Sequence, residues 1–155
     1  MRTKTHDNLL INRLGIKSGT RLYLKNAPSY YYKLLLPLPD DVKLLKRLSK
    51  NVDLFHLFCR NQDEANHQIE KVLLHMKPTG IIWLSWPKTT SKLQSDLDET
   101  SVQQIAQHFC LSYVKPVNLD EMWLAIKLSF DDETKLSKIR QLNHLKDSQT
   151  PLGAP

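Results

Sequence analysis

Arg60, Lys88, Asp120 and Glu121 are the charged residues of this 155-residue chain best spaced to do chemistry together, because each falls beside the end of an apolar run, and Asp96 lies in the polar stretch after Lys88. Asn26, Ala27 and Pro28 close one such run, Cys59 and Arg60 another, and Trp86, Pro87 and Lys88 a third. Asp120 and Glu121 lie in a short polar link just before Trp123. Cations, carboxylates, an amide and an indole are what a pocket for a polar small molecule uses. Each also has a plainer reading: Trp86, Trp123 and Cys59 as core, Asn26 as a turn residue, and Lys88 as half of a surface ion pair with Asp96 or Glu121. The standard catalytic sets are missing. No GxSxG elbow, no HExxH and no clustered Cys/His set occurs, and His56, His67, His75 and His108 are scattered. Gly15-Ile16-Lys17-Ser18-Gly19 lacks the GxxxxGK[ST] frame of a P-loop.

These residues need elements to hold them, and the hydrophobic pattern supplies a set. Thr20 to Lys25 alternates in polarity and predicts a strand, ended by Asn26-Ala27-Pro28-Ser29. A short helix before it ends at Gly15, and another is expected over Tyr30–Leu36, stopped by Pro37. Val42–Leu48 is open between a helix and a short edge strand, with the strand favoured. Asp53–Cys59 is mostly apolar and suits a central strand buried on both faces. Ala65, Ile69, Val72, Leu73 and Met76 recur at helical spacing, and Pro78-Thr79-Gly80 is read as the break after that helix. Ile81–Trp86 predicts another buried strand, Lys88–Asp98 a polar loop, and Glu99–Cys110 a helix. Leu111–Asn118 and Trp123–Phe130 are strand-like, with a link too short for a parallel crossover, so they form an antiparallel hairpin. A last helix begins near Asp131 with Leu136, Ile139, Leu142 and Leu145 on one stripe.

That order predicts an α/β fold: a mostly parallel open sheet, helices on both faces, and a C-terminal antiparallel hairpin. In such sheets ligands bind beyond the carboxyl ends of the strands. That rule brings Asn26, Ala27, Pro28, Arg60, Trp86, Pro87, Lys88, Asp120 and Glu121 to one edge, and the candidate ligand-binding set adds Asp96 and Trp123 to these, with no catalytic residue and no metal ligand assigned. One domain over residues 1–130, a helix over 131–146 and a loose tail over 147–155 complete the organisation.

Charge and composition narrow the partners. The chain carries 22 Lys+Arg against 16 Asp+Glu, but residues 1–60 hold 12 and 4 of these. A basic front third suits phosphate, so Arg13, Lys17, Arg21, Lys25, Lys43, Lys46, Arg47 and Lys50 are candidates for nucleic-acid contact, against the alternative of a solvated surface. The uncharged run Pro78–Pro87 is about half the ~20 residues of a membrane span. With no secretory h-region after Met1 and only Cys59 and Cys110, in no metal-type spacing, a cytoplasmic protein is expected. The stripe on the last helix could dock on its own sheet or pair two chains as a homodimer.

Three stretches carry a family resemblance. Leu14–Gly19 running to Asn26-Ala27-Pro28, then Trp86-Pro87-Lys88 with Ser95-Asp96-Leu97, then Asp120–Lys127 resemble a bacterial family of short proteins of unknown function. That family looks like a shortened class I S-adenosylmethionine-dependent methyltransferase, a Rossmann-like fold, and the likeness covers residues 12–130. Val72–Ile82 also resembles the passage of those enzymes in which a lysine-proline-glycine-glycine turn leads into a strand, with Thr79 replacing one glycine. The resemblance implies an S-adenosylmethionine site at the strand ends, for which Lys88, Asp96 and Glu121 are the polar candidates. The sequence departs from the pattern where that cofactor is gripped. Lys25-Asn26-Ala27-Pro28 replaces a Gly-x-Gly loop, proline has no N–H to offer, and no counterpart can be placed for the acidic residue those enzymes carry after the second strand, since Asp40 and Asp41 sit before that segment. The expected function is thus binding of a small ligand or protein partner without methyl transfer and without a cofactor. A divergent methyltransferase and a nucleic-acid-binding protein are the alternatives.

Overall fold

A computed structural model describes the chain over residues 9–149, with side chains described to residue 143. Its elements run α1 (Leu9–Leu14), β1 (Arg21–Lys25), α2 (Tyr31–Leu34), β2 (Lys43–Leu45), β3 (Val52–Phe58), α3 (Gln62–Leu73), β4 (Met76–Pro87), α4 (Glu99–His108), β5 (Leu111–Tyr113), β6 (Val117–Asn118), β7 (Trp123–Phe130) and α5 (Asp132–Gln149). The sheet order is β2-β1-β3-β4-β7-β5, with β6 also on β7. β2, β1, β3 and β4 are parallel, and β7 is reversed against β4. The α/β fold with a mostly parallel sheet is therefore as expected.

The apolar runs of β3 and β4 exist because both sheet faces are covered. Phe55, Leu57, Ile82, Leu84 and Trp86 meet Ala65, Ile69 and Val72 of α3 and Val102, Ile105 and Ala106 of α4 on one face. Leu54, Phe58 and Trp83 meet Ile11 and Leu14 of α1 and Tyr31 of α2 on the other. Successive residues of a strand alternate between faces, so a strand covered on both sides has no polar period. Side chains at the helix starts satisfy amides that the helices cannot. Asn61 Oδ1 accepts from Glu64 N–H at 2.8 Å, and Asp98 Oδ1 accepts from Ser101 N–H at 2.8 Å. Gly15, at φ +85°, ends α1 in the left-handed region that glycine occupies without strain.

Several boundaries differ from the sequence reading. Met76 opens β4 rather than closing α3: it pairs with Val52, whereas Leu54 pairs with Ile81, so residues 77–80 bulge out of register. Pro78-Thr79-Gly80 thus lies within the strand, and a Cβ on the buried Gly80 would run into the Met76 side chain and the Lys77 carbonyl. The strand expected over Leu111–Asn118 is two, β5 pairing the far end of β7 and β6 its beginning. Pro116, which cannot donate to a ladder, lies between them. α2 is a single turn; Leu36 precedes Pro37, and the residue before a proline is biased away from helix. At 42–48 the favoured strand is present as β2. α5 continues to Gln149, beyond residue 146, and lies against β4 and β7. Of the expected tail, residues 150–155 lie outside the described residues.

Candidate functional site

The parallel strands deliver their carboxyl ends, and the reversed β7 its amino end, to one edge of the sheet. There the chain forms a cavity of about 920 Å³ whose wall includes Arg60, Asn61, Glu64, Lys88, Gln94 and Asp96. β3 and the start of α3 supply the first three, and the polar loop after β4 the others. Pro87 also lines it, whereas the adjacent Trp86 is 1% exposed and packs in the core on the α3–α4 face.

Hydrogen bonds within the chain tie the cavity wall together. Glu64 is its hub: Oε1 accepts from Arg60 N–H at 2.9 Å and Oε2 from Asn26 Nδ2 at 3.0 Å, joining the ends of β1 and β3. Asn26 sits at φ 60°, where asparagine is tolerated better than most residues. Asp96 straps the loop to α3: its Oδ1 accepts from Gln62 N–H at 2.7 Å and its backbone oxygen from Gln62 Nε2 at 2.9 Å. The loop is held to the β7 side as well, since Lys88 N–H donates to Met122 O at 2.8 Å.

Asp120 and Trp123 form a second cluster on the α2 side, apart from the cavity wall. Asp120 Oδ1 accepts from the Met122 and Trp123 amides at 2.8 and 2.9 Å, folding the turn, and Oδ2 accepts from Tyr30 Oη at 2.8 Å. Burial and the Asp120 carboxylate together push the Tyr30 phenol up to about 12. Trp123 is buried and meets Phe58 edge-on at 5.1 Å. Glu121 is exposed in the turn and does not line the cavity. Ala27 and Pro28 are half-buried where the chain enters α2, with Pro28 O accepting from Tyr31 N–H at 2.9 Å.

Sequence reasoning missed two features of this edge. One is Glu64, although its place three residues after the Asn61 cap is a recognisable helix-start spacing. The other is a buried chain of hydrogen bonds. Tyr31 Oη lies 2.6 Å from His56 Nδ1, and His56 Nε2 lies 2.7 Å from Ser85 Oγ. Burial lowers the imidazole to about 3, so His56 is neutral at ordinary pH, with one ring nitrogen donating and the other accepting. All three residues are fully buried, so this trio pins α2 onto β3 and β4. A polar residue inside each apolar run was the available signal, because buried polar groups require partners.

Among the described residues no group of three His, Cys, Asp or Glu could hold a metal, and no helix is long and apolar enough to cross a membrane. No protein-family model matches the sequence, and no curated protein matches it. Solved structures do match in fold. A putative type 11 methyltransferase from Sulfolobus solfataricus superposes with a TM-score of 0.55 at 17% identity, over 81% of this chain and 91% of that one. Magnesium protoporphyrin IX methyltransferase from Synechocystis, with bound SAH, gives 0.53 at 10% identity, over 83% of each chain. A SAM-dependent methyltransferase from Aquifex aeolicus gives 0.53 at 12%, over 79% and 88%. The chain has the Rossmann-like fold of class I S-adenosylmethionine-dependent methyltransferases, in a shortened form.

Proposed function

We propose that the chain is a non-methylating member of this fold that binds a small polar ligand in the cavity at the carboxyl edge of its sheet. Arg60 and Lys88 would receive an anionic group such as a phosphate or carboxylate, and Glu64, Asn61 and Asp96 its hydroxyls or amines. On this reading the chain is one of the short bacterial, cytoplasmic proteins whose motifs it resembles, and it uses no cofactor.

The observation that carries the reading is where the strand-end amides are spent. Arg60 N–H goes to Glu64, Gln62 N–H to Asp96, Glu64 N–H to Asn61 and Tyr31 N–H to Pro28 O, while Pro28 has none. An adenosyl cofactor held by backbone amides at the β1 and β3 ends would have to displace these bonds. Tyr31, just beyond the bend after β1, is fully buried against His56 and Phe58. After β2 come Lys46 and Arg47, where the resembling enzymes place an acid.

Thermal-shift titration with AMP and citrate, as phosphate- and carboxylate-bearing probes, tests it. Saturable stabilisation by one of them, lost in both Arg60→Ala and Lys88→Ala, is expected. No response to either probe, or a response indifferent to both substitutions, rejects the cavity as the site. The fold itself favours a second reading, a divergent methyltransferase with Lys88, Asp96 and Glu121 as its polar residues. Saturable retention of S-adenosylmethionine in equilibrium dialysis would establish that reading over the first.

A further inference from the structure

A different part of the molecule, independent of the cavity, leaves a sheet edge open. β2, three residues long, is the outermost strand of the sheet on its side; Lys43 and Leu45 turn their backbone groups to β1, so the N–H and C=O of Leu44 face no strand among the described residues. Such an edge templates another extended chain. Beside it lies a groove of about 370 Å³ lined by Leu24, Tyr32, Leu44, Leu45 and Lys46. Tyr32 is 43% and Leu44 40% exposed, large values for apolar side chains at a sheet edge. Leu44 pairs in register with Leu22, so it shares a face with Leu22 and Leu24 above the groove. Lys43, Lys46, Arg47 and Lys50 surround the edge, and none of them takes part in an ion pair among the described residues.

We infer that this edge accepts an acidic, extended segment of another protein as an added strand, with alternate side chains of the segment entering the groove. The charges decide between occupants. A second copy would set Lys43, Lys46 and Arg47 against themselves, which is how natural edges refuse self-pairing. Residues 1–8, with Arg2 and Lys4 against Asp7, and residues 150–155, with no charged residue, lack the complementary charge. A nucleic acid would satisfy the cations but leave the Leu44 backbone groups and the leucine-floored groove unused. An acidic strand satisfies all three, and the same cations exclude neutral or basic ones.

The experiment is fluorescence anisotropy with a labelled peptide of alternating glutamate and valine. A matched peptide with prolines at alternate positions keeps its charge but loses donors to the edge. Saturable binding of the first, weakened about tenfold or more both by the prolines and by the double change Lys46→Glu, Arg47→Glu, supports the inference. Leu44→Ser should weaken it too, with circular dichroism confirming that the variants fold. Absence of binding, equal binding of both peptides, or displacement of the peptide by a lower concentration of single-stranded DNA would overturn it. The first result would leave the lysines as guards against aggregation, the second as a diffuse charge, and the third would make the surface one for nucleic acid.

Discussion

Replacing His56 by glutamine isolates the energetic role of the Tyr31–His56–Ser85 chain, because an amide can serve both hydroxyls yet does not titrate. In the folded protein burial lowers His56 to about 3, whereas in the unfolded chain it titrates near 6.5. Between those values the unfolded state binds a proton that the folded state refuses, so protonation favours unfolding and stability falls as pH falls. Above the unfolded value the term is constant and fully stabilising. One proton of difference gives a slope of about 1.4 kcal/mol per pH unit. Between about pH 5.5 and about pH 3.5 the wild type should therefore lose roughly 3 kcal/mol more than His56→Gln. A loss of that size is a large part of the stability of a small domain. Urea unfolding followed by circular dichroism across this range measures it, and subtracting the variant's curve removes the other titrating groups. Parallel curves would refute the reasoning. They would mean that His56 is protonated in the folded state or open to water.

Three further outcomes follow from the same geometry. Iodoacetamide at mildly alkaline pH should alkylate the exposed Cys110 and spare Cys59, whose thiol burial and the Glu64 carboxylate push up to about 12; peptide mass spectrometry reads the sites. Asp98→Ala should cost about 1 kcal/mol in urea unfolding, since it removes the cap on Ser101 N–H at the start of α4. Asp120→Ala should bring the Tyr30 phenol down from about 12 towards 10, seen as a shifted absorbance titration, because it removes the carboxylate while part of the burial remains.

The fold was legible in the sequence wherever burial acts on a whole strand. Asp53–Cys59 and Ile81–Trp86 read as two-sided strands because helices cover both faces, and β7 was read to its full length from Trp123 to Phe130. What pattern could not supply was register. The bulge that takes Pro78-Thr79-Gly80 into β4 depends on Val52 and Leu54 across the ladder, which no local window contains. The site divided in the same way. Chain order brought Arg60, Pro87 and Lys88 to one cavity, because strand polarity alone fixes that edge, whereas Asp96 was named only as a partner for Lys88 and through the resemblance. Chain order could not separate Asp120 and Trp123 into their own cluster, nor keep Glu121 out of the cavity, since those outcomes depend on which face each residue takes; the packing reading of Trp86 is the one the structure shows. Glu64 was legible in principle from the cap at Asn61, but its bond to Asn26 spans 38 positions.

Amide chemical-shift mapping with S-adenosylhomocysteine, AMP and citrate on the same labelled sample tests the central claim most directly. The expected result is that AMP or citrate moves the signals of residues 60–64 and 88–97 while S-adenosylhomocysteine leaves the spectrum unchanged. Saturable shifts with S-adenosylhomocysteine at Asn26, Ala27 and Tyr31 would contradict it, since they would place the adenosyl group where the chain's own side chains hold the strand ends shut.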